Sequence, residues 1–301
     1  MNGKVFQRFY RLWSQQRSQV LRNVSVNFLN RFKHIKTAPL LLTGLPVASL
    51  SLVGISLQAK VDPKKEITDR ADKMFDDGKY VDLLSFLTQQ ESWYDSAELL
   101  WRVGRCKFHL SKDASLDKKK KEEYLRDSLV NVRRALELNV NCGPAHKWAA
   151  ILIDSVSSLD GTRARIEQTL NVRKHMEESI RLMPQDATSY YLLGEWHYSV
   201  SMTSWVEKQI AAVVFAKLPD ASLEEALKMF LKAEEVDPGF YSRNLVYLSK
   251  TLMSLNRNLD DAKKHLIQVV SDFKDSEKWD DKEAVAEART LLKKLGVKDV
   301  A

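Results

Sequence analysis

Apolar and polar positions after residue 62 of this chain follow a pattern that predicts paired helices joined by short turns. A small residue returns at the same place in five successive helix-turn-helix patterns; these residues are Ala71, Gly104, Ala150, Gly194 and Ser249. Two helices that cross closely need a small residue at their contact point. The recurrence therefore indicates a stack of helix pairs.

The predicted fold is all-α: a tetratricopeptide-like α-solenoid of about five helix pairs with a C-terminal capping helix, over residues 61–301. The clearest predicted helices run from Glu66 to Asp77, Tyr80 to Gln90, Ser96 to Leu110, Lys118 to Leu138 and Asp281 to Leu295. Pro184 and Pro238 stand where a helix must stop, because proline lacks the backbone donor. Three larger apolar residues are predicted to form core between the repeats, and each stands three positions before a small residue at the end of a helix; they are Val132, Met176 and Phe230.

Residues 1–36 form a basic leader that contains no acidic residue. Its aromatic and basic residues gather on opposite helical faces; they are Phe6, Phe9, Tyr10 and Trp13 on one face and Lys4, Arg8 and Arg11 on the other. This amphipathic, acid-poor composition predicts a mitochondrial targeting segment. Two alternatives stay open, namely a basic helix that lies on an anionic membrane and a disordered basic tail.

Residues 37–60 form an apolar segment in which no charge occurs before Lys60. Its stretch 38–57 is long enough for a helix that crosses a hydrocarbon layer of about 30 Å, so it is a candidate transmembrane anchor. Pro39, Pro46 and two glycines weaken that helix. A secretory signal is disfavoured because the basic leader is too long, and a core helix packed on the end of the solenoid is the third interpretation.

The charge of the chain is unevenly distributed. The formal net charge is +7, but residues 1–60 hold nine Lys and Arg and no acid. The remainder holds 38 of the 47 basic residues and all 40 acidic residues, a formal charge of −2. This balance excludes nucleic acid as the expected partner of the repeats. Cys106 and Cys142 form neither a disulfide framework nor a metal-ligand spacing.

Catalytic chemistry is not expected. No phosphate-binding loop or nucleophile elbow occurs, and the carboxylate pairs Glu224-Glu225 and Asp260-Asp261 belong to predicted helix starts. His146, His175 and His197 lack the local spacing of metal ligands, and His146 and His197 fall where the pattern predicts aromatic core. We therefore expect a non-enzymatic protein without a metal or cofactor.

Several long motifs carry a family resemblance. They are DSAELLWRVGR from Asp95, GPAHKWAAILID from Gly143, MPQDATSYYLLGEWHYSV from Met183, and EEALKMFLKAEEVDPGFYSRNLVYLSKTL from Glu224. Together with an insertion ending in FAKLP, they make residues from about 66 to 295 resemble the regulator of microtubule dynamics family. The resemblance implies an N-terminal targeting or membrane segment, a tetratricopeptide-like domain, and roles in spindle organisation and chromosome segregation. A tethering member of the family also implies a link to mitochondrial membrane contact sites.

The first helix of each pair is predicted to line a concave groove. The candidate groove residues are Trp101, Arg105, Lys147, Tyr191, Glu195, Tyr198, Arg243 and Lys250. Aromatic side chains interleaved with cations predict a groove for an acidic peptide of a protein partner, or for a phospholipid headgroup. The alternative is that half of these side chains pack or are solvated.

The insertion 202–218 carries more apolar residues than a loop needs. Trp205, Val214 and Phe215 make it a candidate lid, a membrane contact or a piece of core.

A solvated face is favoured over a tubulin contact for Lys118 to Lys121. With the resemblance, the expected partners are tubulin or microtubules, a phospholipid as alternative, and a membrane through residues 38–57. The expected location is mitochondrial and membrane-associated, with cytoplasmic and spindle pools, and the side of the membrane stays open.

Overall fold

A computed structural model describes residues 63–203, 205–214, 219–276 and 278–297 of this protein. The predicted segments 1–36 and 37–60 lie outside the described residues, and the domain boundaries stay predictions. The described residues form twelve α-helices and one 3-10 turn, Trp93–Asp95, and no strand. The helices are α1 Pro63–Asp76, α2 Tyr80–Thr88, α3 Ala97–Leu110, α4 Lys118–Leu138, α5 Gly143–Leu159, α6 Thr162–Leu182, α7 Ala187–Ser201, α8 Trp205–Val214, α9 Leu223–Val236, α10 Ser242–Ser254, α11 Leu259–Phe273 and α12 Trp279–Lys294.

The helices pack as five pairs and a cap. The pairs are α1 with α2, α3 with α4, α5 with α6, α7 with α9, and α10 with α11, and α12 covers α10 and α11. The second helix of each pair also contacts the first helix of the next pair. This arrangement confirms the predicted all-α, tetratricopeptide-like fold. Helix α8 is the inserted element, and it lies against α6.

Local signals set the helix ends close to their predicted positions. Helix α4 begins where the Asp117 carboxylate accepts a hydrogen bond from the Lys120 amide at 2.8 Å, which is an N-cap. Helices α6 and α9 end two residues before Pro184 and Pro238, as proline requires. The turn between α1 and α2 uses Gly78 at a φ of 73°. Helices α1 and α12 begin earlier than predicted, at Pro63 and Trp279.

The small residues of the repeat pattern stand where helices touch. An ideal Cβ on Gly104 would lie 2.5 Å from Cγ2 of Val132, and one on Gly194 would lie 2.7 Å from Cε1 of Phe230. Val132 and Phe230 have no exposed surface, which confirms their prediction as core. Phe230 also stacks on Tyr247 of the next pair at 5.8 Å between ring centroids. A large residue on the second helix thus fills the space left by glycine and extends the core to the following unit.

Membrane-spanning helices are absent among α1 to α12, the helices of the described residues, because none is both long and apolar enough. The candidate anchor 38–57 lies outside those residues and stays a prediction.

Gly194→Ala tests the close approach of α7 and α9. We expect the free energy of unfolding to fall by about 1–3 kcal/mol, because the new methyl group would overlap the buried ring of Phe230. Alanine gains about 1 kcal/mol of helix propensity over glycine, so a net loss means that steric overlap dominates. Urea unfolding of the full chain, followed by circular dichroism, measures the change.

The control is a double-mutant cycle with Phe230→Leu. A smaller side chain relieves the overlap, so the double variant should lose less stability than the sum of the two single variants. Additive losses would contradict the proposed contact.

Candidate functional site

The candidate groove residues lie largely inside the stack. Trp101, Arg105, Tyr191, Glu195 and Arg243 are buried, whereas Lys147, Tyr198 and Lys250 are half-buried. Tyr191, Glu195 and Arg243 expose no more than 1% of their surface, so solvent does not reach them in this conformation. Partner binding by this set stays a prediction, and the structure places its members mainly between neighbouring helix pairs.

The first two units are joined by one carboxylate that serves two arginines. Asp72 of α1 accepts hydrogen bonds from Arg105 at 2.6 Å and from Arg102 at 2.7 Å, both from Nη2. The Arg105 guanidinium carbon also lies 3.8 Å from the ring centroid of Phe75. Burial alone would raise the pKa of Asp72, but the hydrogen bond and charge of Arg102 together with those of Arg105 lower it. Asp72 and Arg102 were not identified from the sequence.

Trp101 makes a local contact beside this pair. Its Nε1 donates a hydrogen bond to Oε2 of Glu98 at 3.0 Å, and its ring lies under the guanidinium of Arg102 at 4.2 Å. A cation over an indole face is a favourable contact. Trp101 is therefore held in place by polar neighbours of its own helix.

Lys147 repeats the arrangement between the third and fourth units. Its Nζ lies 3.0 Å from both carboxylate oxygens of Asp186, which directly precedes α7. Asp186 also accepts a hydrogen bond from the Ser189 amide at 3.1 Å and one from the Ser189 hydroxyl. One carboxylate therefore caps α7 and neutralises the lysine of the preceding first helix.

The last unit and the capping helix α12 are joined by two such pairs. Nη1 of Arg243 lies 3.2 Å from Oε2 of Glu283, and Nζ of Lys250 lies 2.8 Å from Oε1 of Glu287. The Lys250 ammonium also lies 4.5 Å from the ring centroid of Tyr247. Burial raises the pKa of Tyr247 to about 12, so its phenol is neutral and its ring faces the cation. Helix α12 thus covers the last unit with charge as well as with apolar residues.

These contacts form a series of ion pairs between units. Each of the four predicted groove cations, Arg105, Lys147, Arg243 and Lys250, meets a carboxylate from a neighbouring unit or from the cap. An acidic peptide or a phospholipid headgroup would have to displace that carboxylate. The cations that predicted an anionic ligand therefore form ion pairs within the stack.

Two open cavities lie elsewhere on the described residues. One of about 680 Å³ follows α9, and its lining includes Leu227, Lys228, Leu231 and Lys232 together with Arg257. The other, of about 410 Å³, is lined by residues that include Arg173, Glu177, His197 and Glu225. His197 and His146 are both buried, as predicted for core residues. Burial lowers the pKa of His197, with a further contribution from the charge of Arg173.

The lid residues are only partly described. Trp205 and Val214 begin and end α8, whose backbone lies against α6, and Phe215 lies outside the described residues. Val213 of α8 is 85% exposed, so at least this residue is not core. The lid and the membrane contact stay predictions.

Comparisons with known proteins agree on one family. Residues 67–296 match the family model described as Regulator of microtubule dynamics protein 1-3. Regulator of microtubule dynamics protein 1 of Bos taurus is 39% identical over 66% of this chain and 62% of that protein. The protein of the same name from Pongo abelii is 35% identical over 71% of this chain and 70% of that protein. Regulator of microtubule dynamics protein 2 of Homo sapiens is 32% identical over 62% of this chain and 45% of its own length.

A solved structure supports the fold alone. A thermophilic TPR protein of Thermus thermophilus superimposes with a TM-score of 0.50 at 11% identity, over 76% of this chain and 99% of that one. The matched stretch spans less than two thirds of the bovine relative, so what whole relatives do is not transferred on these matches alone.

Asp72→Ala tests the ion pair between the first two units. We expect a loss of about 2–3 kcal/mol in the free energy of unfolding, because Arg105 would stay buried without its carboxylate and Arg102 would keep only its ion pair with Glu98 of its own helix. The side chain of Asp72 is 38% exposed, which places the loss below that of a fully buried pair. Denaturant unfolding of the full chain measures it.

Glu167→Ala is the matched control. It removes an exposed ion pair with Arg163 inside one helix, and we expect a loss below about 0.5 kcal/mol. Equal losses in the two variants would contradict a special role for the pair between units.

Proposed function

The chain belongs to the regulator of microtubule dynamics family, and from this premise we propose that it is a non-enzymatic helical adaptor that binds microtubules and protein partners. The match of residues 67–296 to the family model carries this proposal. The names of the similar relatives are the reason for proposing microtubules as a partner. The stacked helix pairs are a scaffold typical of protein binding. Spindle organisation and chromosome segregation follow as the proposed cellular roles.

The distribution of charge suggests which part of the chain meets an acidic surface. The repeats beyond residue 60 carry a formal charge of −2, and their predicted groove cations are bound by carboxylates. The leader, residues 1–36, carries eight Lys and Arg and no acid. We therefore propose that the leader makes the electrostatic contact with acidic tubulin tails, whereas the repeats position protein partners. The same pairing weakens the case for a phospholipid headgroup in the groove.

Co-sedimentation with microtubules tests this division. We expect the full chain to pellet at low salt, and the variant in which Lys4, Arg8, Arg11 and Arg17 are replaced by Gln to lose most of that binding. Binding through exposed charges should weaken as salt rises, because the Debye length falls to about 8 Å at physiological ionic strength. The measurement is the bound fraction against salt concentration.

The matched control removes the same number of charges from the repeats. Replacement of the four consecutive residues Lys118, Lys119, Lys120 and Lys121 by Gln should leave the bound fraction nearly unchanged, since acids of the same helix pair with Lys118 and Lys120. A wild-type chain that stays in the supernatant at low salt would reject direct binding. An equal loss in both variants would reject the role of the leader.

The segment before the repeats also bears on where the protein lies in the cell. We propose that residues 37–60 attach the protein to the cytosolic face of mitochondria without crossing the membrane, so that the leader and the repeats both lie in the cytosol, because microtubule binding by the leader requires that side. A C-terminal tag on the full chain should then be digested by protease on intact mitochondria. A tag that stays protected until the outer membrane is opened would contradict the cytosolic orientation, whatever the outcome with purified microtubules.

A further inference from the structure

Two histidines from different helices meet in the third unit. Nδ1 of His146 on α5 lies 2.9 Å from Nδ1 of His175 on α6, and the ring centroids are 5.1 Å apart. The residues are 29 positions apart, so no local spacing in the sequence reveals the pair. His146 is buried and His175 is half-buried. The pair therefore lies at the edge of the packed interior and is open to solvent on one side.

Hydrogen-bond chemistry assigns the protons of this pair. Nε2 of His146 lies 2.8 Å from the carbonyl oxygen of Val140, which only accepts, so Nε2 carries the hydrogen. In the neutral ring Nδ1 of His146 then holds a lone pair, and Nδ1 of His175 donates to it. A backbone carbonyl that fixes the tautomer and direction of an imidazole is a common supporting contact in metal sites.

The environment keeps His175 neutral. Burial, with a further contribution from the nearby His146, lowers the pKa of His175 to about 4. The positive side chains of Lys174 and Arg133 act in the same direction, and Glu178 acts against them. A neutral imidazole is the form that binds metal ions.

We propose that His146 and His175 form a binding site for Zn²⁺ or a similar imidazole-preferring divalent ion, with the two Nδ1 atoms as ligands. Zinc–nitrogen distances of about 2.0–2.1 Å in tetrahedral geometry place two ligand nitrogens about 3.3 Å apart. The present 2.9 Å therefore needs to widen by about 0.4 Å, and the two rings must turn so that both Nδ1 lone pairs point at the ion. On binding, His175 releases its Nδ1 proton to water and takes one at Nε2, so no net proton is lost.

The remaining coordination positions are open. The described residues contain no group of three or more His, Cys, Asp or Glu side chains arranged for a metal, so water completes the shell. Glu178, three positions after His175, is engaged elsewhere, because its carboxylate accepts a hydrogen bond from Arg181 at 2.9 Å. Lys174 and Arg133 oppose a bound cation. We therefore expect weaker binding than at a structural zinc site with four protein ligands.

Zinc titration of the full, metal-free chain at neutral pH tests the proposal. With ZnCl₂ in excess we expect the melting temperature to rise by about 2–4 °C, because the ion binds the folded state. His146→Gln and His175→Gln should each remove the rise, and calorimetric titration should lose the binding heat.

His265→Gln is the matched control, because it removes another half-buried imidazole, on α11. This variant should keep the full rise in melting temperature. If His146→Gln fails to fold, His175→Gln on the solvent side still decides the question. No response of the wild type to zinc, or an equal loss in the His265 variant, would overturn the site and leave the pair as a hydrogen bond only.

Discussion

The close approach of the two helices within a pair is the constraint on which this structure depends. There is no room for even a methyl group at Gly104 and Gly194, because Val132 and Phe230 occupy the space that a Cβ would need. Such close contact lets a large side chain reach through the pair and touch the next one, as Phe230 does with Tyr247. At Gly194, a small residue that defines the repeat therefore also lets the core continue into the next pair.

Close stacking has an electrostatic consequence. The first helices bring charged groups such as Arg105 and Arg243 into contact with neighbouring units, where desolvation disfavours an unpaired charge. A carboxylate from an adjacent unit or from the capping helix offsets that cost in each case. The face that a helical repeat protein can offer to a ligand is here largely occupied by its own neighbours.

Much of the fold could be predicted because its signals are local. Glycine at turns, proline after helices and a small residue in each pair all act within a few positions. Burial of Tyr191 and the pairing of Lys147 with Asp186 depend on which units are neighbours. The partners of the cations are nevertheless separated by 33, 39, 37 and 40 residues, which is about one repeat. Opposite charges one repeat apart are the signal in the sequence for these ion pairs.

The motif AEEVDPGFYSRN is explained by the same architecture. Glu234 accepts hydrogen bonds from the Gly239 amide at 2.8 Å and from the Asn244 side chain at 2.6 Å, which closes the turn between α9 and α10. Ser242 donates to Asp281 of α12 at 2.6 Å. Burial raises the pKa of Glu234, and both hydrogen bonds oppose that rise. Side chains of this one motif thus connect three helices, so the motif specifies how α9, α10 and α12 join.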